Sequence, residues 1–163
     1  MKPIVVARRT AAPPERVFAL ASDFAGAAGR ISGILRVEMV TKGAVGKGTR
    51  FRETRKMFGK EATEEMEVVA FDPPRSYTLR AASCGAEYLT EVRCVPDGSG
   101  TRIEFEMQWR SISFFAKLMS PLGMLFAGSM KKLVEKDLAD IATAAEGGSA
   151  PPPAAGAAAR PAV

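Results

Sequence analysis

Apolar and polar positions change period along this chain, and each change predicts an element. Pro3 to Thr10, with the run IVVARRT, reads as a first strand, which Ala11-Ala12-Pro13-Pro14 ends. Pro14 and Glu15 then open a short helix, PERVFALASDF, with Val17, Phe18, Leu20 and Ala21 as its apolar side. Gly26, Gly29 and Gly33 punctuate the next stretch, so a second helix there is short or irregular, and strand pattern resumes from Leu35 to Thr41. The last periodic stretch, Ser113 to Glu146, predicts a long amphipathic helix. Leu118, Leu122, Phe126, Met130, Leu133, Leu138 and Ile141 fall near one stripe, while Lys131, Lys132, Glu135, Lys136 and Asp140 stay largely off it. Ser120-Pro121 is its start signal and Gly147-Gly148 its stop.

From Lys47 onward the chain reads as strands in meander order, and turn chemistry tests the register. A two-residue loop Gly59-Lys60, glycine first, suits a type II′ turn. It pairs Met57 with Ala62, Arg55 with Glu64, Glu53 with Met66 and Phe51 with Val68, leaving Ala70 on the same face. A turn at Cys84-Gly85 sets Tyr77, Leu79 and Ala81 opposite Val92, Thr90 and Tyr88. A loop of Asp97 to Gly100 brings Ile103, Phe105, Met107 and Trp109 onto that face too. The opposite face is charged, with Arg52 expected against Glu67, Arg93 against Glu104, and a like pair at Glu91 and Glu106. The predicted class is therefore α+β: a curved antiparallel sheet, apolar on one face, wrapped around a long C-terminal helix, with two short helices after the first strand. Such a sheet need not close on its helix, and the space left between them is a ready cavity.

Composition adds boundaries. Of 163 residues, 47% are hydrophobic and 25% charged, which suits one globular domain over 1–146. The Ala/Pro-rich segment 147–163 has too little to bury to offset its ordering entropy and is expected to be a disordered tail. The net charge of +5 is spread and interleaved with acids, without a basic run carrying aromatics, so nucleic acid is not an expected partner. The chain contains no histidine, which removes His-based acid–base work, Ser-His and Cys-His nucleophiles and most zinc sites; no metal or cofactor is expected. The N-terminus lacks a signal-peptide core, and the most apolar stretch, Ile112 to Gly128, is too interrupted to span a bilayer, so a cytoplasmic location is expected. Cys84 and Cys94 have no basic partner in sequence and read as inert thiols.

The segments AAPPERVFALASDF, GKGTRFRETRKMFGKEATEEMEVVAFDPPRSY, GSGTRIEFE and KKLVEKDLADI resemble the START-related helix-grip superfamily, over about residues 3–145. That group includes polyketide cyclase/dehydrase-like proteins, coenzyme-Q-binding proteins and lipid binders of the pollen-allergen type. The resemblance implies a deep apolar cavity for a lipid, sterol, quinone or polyketide-like molecule, and the apolar lining with no histidine or nucleophile–base pair points to a carrier or sensor. The alternative it implies is a polyketide aromatase/cyclase that positions a substrate chain in the same cavity.

Candidate ligand-binding residues follow from the inward face and the helix stripe: Phe51, Glu53, Arg55, Glu64, Met66, Tyr77, Leu79, Tyr88, Thr90, Phe105, Met107, Trp109, Met119, Leu122, Phe126 and Met130. Arg55 and Glu64, with Glu53 nearby, are a polar anchor for a ligand carbonyl, hydroxyl or carboxylate, or else an ion pair near the cavity rim. In an enzyme, Arg55, Glu53, Glu64 or Tyr88 would polarise carbonyls or relay protons. Tyr77, Tyr88, Thr90 and Trp109 suit a pocket wall and a core equally. Met107, Met119, Met124 and Met130 form an adaptable surface or ordinary packing. Phe114, Phe115, Leu118, Met119 and Leu122 are either a cavity mouth that touches a membrane transiently or packing against the short helices.

Overall fold

A computed structural model of the chain describes residues 3–57, 59–83, 86–111 and 120–147; the side chains at 83, 111 and 120–126 lie outside that description. Seven strands form one antiparallel sheet: β1 (Ile4–Thr10), β2 (Ile34–Met39), β3 (Arg50–Met57), β4 (Lys60–Asp72), β5 (Ser76–Ser83), β6 (Ala86–Asp97) and β7 (Gly100–Ser111). Their spatial order is β1-β7-β6-β5-β4-β3-β2. Consecutive strands from β2 to β7 pair as a meander, while β1 crosses over to pair with β7, from Ile4 opposite Met107 to Thr10 opposite Thr101. The crossover carries α1 (Pro14–Ala21) and a single 3-10 turn at Ala27–Gly29, the short irregular helix of the glycine-rich stretch. The long helix α2 runs Ser120–Ala145, and Gly147 beyond it has φ +86°. Both helices behave as their sequences dictate: Pro14 opens α1, where a missing N–H costs nothing, and glycine follows the end of α2.

The register of β5 with β6 and of β6 with β7 is as the turns predict: Tyr77 faces Val92, Ala81 faces Tyr88, and Arg93 faces Glu104. The β3–β4 register is not. Met57 pairs with Lys60, so Arg55 faces Ala62, Glu53 faces Glu64, Phe51 faces Met66 and Arg52 faces Glu65. Gly59, φ +79°, immediately precedes Lys60 and so cannot be the first residue of the turn. The slip is two residues, which keeps every side chain on its expected face and changes only its partner. A second correction concerns Ala70. A bulge between Val68 and Ala70 inserts one residue, so Ala70 turns outward and Phe71 takes the inward place, 5.4 Å from the ring of Phe18.

The core lies between the sheet, α1 and the second half of α2. Val17, Phe18 and Ala21 of α1 meet Phe51, Val68, Tyr77, Val92, Cys94 and Ile103 of the sheet and Val134, Leu138, Ile141 and Ala145 of α2. Phe24 stacks on Phe51 at 4.4 Å and meets Tyr77 edge-on, and the Tyr77 hydroxyl donates to the Ala21 carbonyl at 3.1 Å. Glu146 ties the end of α2 to the end of β1 by accepting from Thr10 Oγ1 and the Ala11 N–H. Gly100 is obligatory at that corner, since a Cβ there would stand 2.2 Å from the Thr10 carbonyl oxygen. On the outer face the charges pair across strands, and the like pair Glu91–Glu106 is relieved by Arg93, whose guanidinium lies within ion-pair reach of Glu91, Glu104 and Glu106.

Candidate functional site

The inward face of the sheet divides into two halves. Toward the β4–β5 and β6–β7 turns its positions are sealed: Val68, Tyr77, Val92, Cys94 and Ile103 are buried. Toward the β3–β4 and β5–β6 hairpin ends, the same strands carry Met66 and Glu64, Leu79, Thr90 and Tyr88, and Phe105, Met107 and Trp109, all only partly buried. Alternation explains why both sets share one face; the position of α1 explains why only one is sealed. Helix α1 packs against α2, β6 and β7 at the turn end, and α2 packs against β1.

A cleft of about 280 Å³ opens between the end of β3 and α2, lined by Lys56, Met57, Ser129, Met130, Lys132 and Leu133. One step inward along each element lies a buried polar cluster. Arg55 is two residues before Met57 on the same strand face, and Asp137 is one helical turn beyond Leu133. Arg55 Nη2 donates to Asp137 Oδ2 at 2.9 Å, and its Nε lies 2.9 Å from Glu53 Oε1. These side chains are only 14%, 17% and 13% exposed for Arg55, Asp137 and Glu53. Arg55 Nε is itself buried against Glu53, its ion-pair partner.

Burial governs the electrostatics of this cluster. Desolvation pushes the Glu53 carboxyl above the ordinary range; the attraction of Arg55 opposes this, and Asp137 and Glu64 add to it. Desolvation likewise raises Asp137 against the pull of Arg55. For Arg55, burial works against the charge, but Glu53 and Asp137 together outweigh it and hold the guanidinium firmly ionised. One cation thus stands among three inward carboxyl groups, two of which grip their protons more tightly than usual.

The expected cross-strand pair of Arg55 with Glu64 is replaced by Arg55 with Glu53 and Asp137, because the hairpin slip sets Glu64 opposite Glu53 instead. Asp137 was the residue that periodicity could have found: it stands three after Val134 and four before Ile141, a charge in the middle of the stripe. Asp140, expected off the stripe, is buried instead, since α2 is covered on a second side by the loop before β2. Its carboxylate accepts from the Ser32 N–H at 2.9 Å and the Ser32 hydroxyl at 2.8 Å, with Lys136 alongside. The next residue, Gly33, borders Asp137 and Arg55, so this loop closes the cluster from the β2 side.

Of the other candidates, Phe51 and Tyr77 sit in the sealed half, with their surfaces committed to Phe24, Phe18 and Ala21. Met66, Leu79, Tyr88, Thr90, Phe105, Met107 and Trp109 sit in the half-open part, and Met130 lines the cleft. Met119, Phe114, Phe115, Leu118 and Cys84 lie outside the described residues, as do the side chains of Leu122, Met124 and Phe126 and the segment 148–163. Cys94 is buried, which pushes its thiol up to about 11 and leaves it protonated at neutral pH. Among the described residues no group of three or more His, Cys, Asp or Glu is placed to hold a metal, and no helix is long and apolar enough to cross a membrane.

A curved sheet gripping a terminal helix around a half-open interior defines a helix-grip protein. The match to known families is specific: residues 1–146 correspond to the family described as polyketide cyclase/dehydrase and lipid transport, and the chain belongs to it. No curated protein sequence matches the chain. Among solved structures it is similar to a protein of Thermus thermophilus, 24% identical, with a TM-score of 0.68 over 90% of this chain and 98% of that one. It is also similar to the Zhui aromatase/cyclase of Streptomyces sp. R1128, 17% identical, TM-score 0.71, covering 89% and 93% of the two chains. The two-domain aromatase/cyclase BexL of the BE-7585A biosynthetic pathway aligns at 16% identity and TM-score 0.74, over 89% of this chain and 50% of that one. At these identities the likeness is one of fold.

Proposed function

We propose that the protein binds one small hydrophobic molecule in the half-open part of the cup and carries or senses it without changing it. The observation that supports this reading is the division of the inward face. Apolar positions from Met66 through Leu79 and Met107 to Trp109 keep part of their surface uncovered on the inward face, and a cleft opens between β3 and α2. Tyr88 and Trp109, opposite each other across β6 and β7, combine broad apolar area with one hydrogen-bonding group each and suit a wall that orients a guest. The test is binding of Nile red, an uncharged apolar dye, followed by fluorescence. Saturable one-to-one uptake is expected, weakened in Tyr88→Ala and Trp109→Ala; no saturable uptake by the wild type would refute the reading.

A second reading draws on the buried cluster. Glu53 and Asp137 hold protons unusually well beside a fixed guanidinium, an arrangement suited to polarising a carbonyl and passing a proton as a polyketide chain folds. Two of the similar solved structures are aromatase/cyclases, which makes a positioning cyclase the alternative. Supplied with a poly-β-keto thioester, a cyclase would shift the product distribution and Glu53→Gln would abolish that shift, whereas a carrier would leave the distribution at its spontaneous value.

A further inference from the structure

We propose that the cleft between β3 and α2 is electrically polarised and therefore dictates which way round a guest lies: an anionic end stays at the mouth, against Lys56 and Lys132, and the end that enters first is uncharged. This inference rests on the reading that the cup takes an apolar guest, and adds the polarity of that guest.

The geometry carries it. Among the described residues that line the cleft, Lys56 and Lys132 are exposed cations, one on the sheet and one on the helix, and none is a carboxylate. Among the described residues neither lysine forms an ion pair, so both charges are available to an arriving anion. Met57, Met130 and Leu133 supply the apolar wall just inside. Beyond this wall, roughly 6–7 Å further along either element, two strand residues from Met57 or one helical turn from Leu133, stands the buried cluster that a guest entering here would approach as its floor. There the charge reverses. Arg55 is already engaged by Asp137 and Glu53, each at 2.9 Å, and Glu64 stands opposite Glu53 on the next strand. A carboxylate reaching the floor would find no uncompensated cation and would lose its hydration beside like charges. An uncharged hydroxyl or carbonyl brings no like charge to that cluster and gives up far less hydration than a carboxylate does. The carboxylate that sequence reasoning admitted as a partner for Arg55 is thereby excluded at the floor and admitted only at the mouth.

The experiment uses the full chain at pH 8, loaded with Nile red, and three competitors of one length: octane-1,8-diol, 8-hydroxyoctanoate and octanedioate. The hydroxy acid can satisfy both ends of the cleft, the diol only the floor, and the diacid must place an anion at the floor. We expect 8-hydroxyoctanoate to displace the dye at about tenfold lower concentration than octanedioate, and at lower concentration than the diol. Its advantage over the diol should disappear in the double variant Lys56→Gln/Lys132→Gln, whose exposed substitutions leave the core untouched. Octanedioate competing as well as the hydroxy acid would overturn the charge reversal at the floor. A hydroxy acid no better than the diol would overturn the role of the lysines. Failure of the wild type to bind Nile red at all would instead refute the binding function on which the inference rests.

Discussion

Asp137, on the long helix, and Arg55, on the third strand, are 82 residues apart in sequence and meet at 2.9 Å inside the cup. The contact fastens α2 to the sheet through a buried polar cluster. Its cation is shared with Glu53, so Arg55 neutralises carboxylates from two different elements. Removing either acid leaves a neutral pair behind; removing the arginine leaves two buried carboxyls without a counter-charge.

Arg55→Met is therefore expected to be the most damaging substitution in the cluster, costing about 3–5 kcal/mol of stability at neutral pH. Urea denaturation at pH 7 and pH 5 checks it. Part of the loss should be recovered at the lower pH, where the stranded carboxyls protonate. Equal losses at both values would place the cluster in contact with bulk water.

Stability should also depend on pH through Glu53. Burial raises its folded-state value above the ordinary 4.5, so the folded chain binds this proton more tightly than the unfolded chain does. Folding then loses free energy as pH rises from about the ordinary value through the raised one, and levels off above it. Glu53→Gln stays neutral throughout and avoids that loss. Melting temperatures of variant and wild type should diverge in the variant's favour as pH rises across this window, with Arg55, Asp137 and Glu64 as the charges facing the site. A difference that is flat or runs the other way would mean that pairing with Arg55 outweighs burial.

The two halves of the inward face should respond oppositely to truncation. Ile103→Ala, in the sealed half, should cost about 2–5 kcal/mol and leave Nile red affinity unchanged. Trp109→Ala, in the half-open part, should weaken dye binding several-fold with a smaller stability loss. Denaturation and dye titration on both variants check the division; a weakened affinity in Ile103→Ala would show that the sealed half is part of the binding surface.

The corner where β1 meets β7 tests close packing of backbone. Gly98 has φ +62° with open space around it, so Gly98→Ala should cost about 1–2 kcal/mol for the backbone conformation alone. Gly100→Ala must displace the Thr10 backbone and should cost more, in the same urea assay. Equal costs would mean that β1 moves aside freely.

What the sequence determined by itself was periodicity and its consequences. Strand alternation sorts Phe51, Met66, Leu79, Phe105 and Trp109 onto one face, with Glu53, Arg55 and Glu64 among them, and most other arginines and glutamates of the sheet onto the other, and Pro14, Ser120 and Gly147 punctuate the helices. These are local properties with a period of two or about 3.6, and they survive an error of two residues in pairing. For that reason the two-residue slip of the β3–β4 hairpin left every face correct while changing every partner. Phe71 escaped because a bulge changes parity without a local signal that alternation can read. Tertiary structure alone decided that Asp137 and not Glu64 completes the arginine pair, that Asp140 is buried against Ser32, and that only half of the apolar face is sealed. Each of these depends on where α1, α2 and the loop before β2 come to rest against the sheet, and that placement is set by packing between residues far apart in the chain.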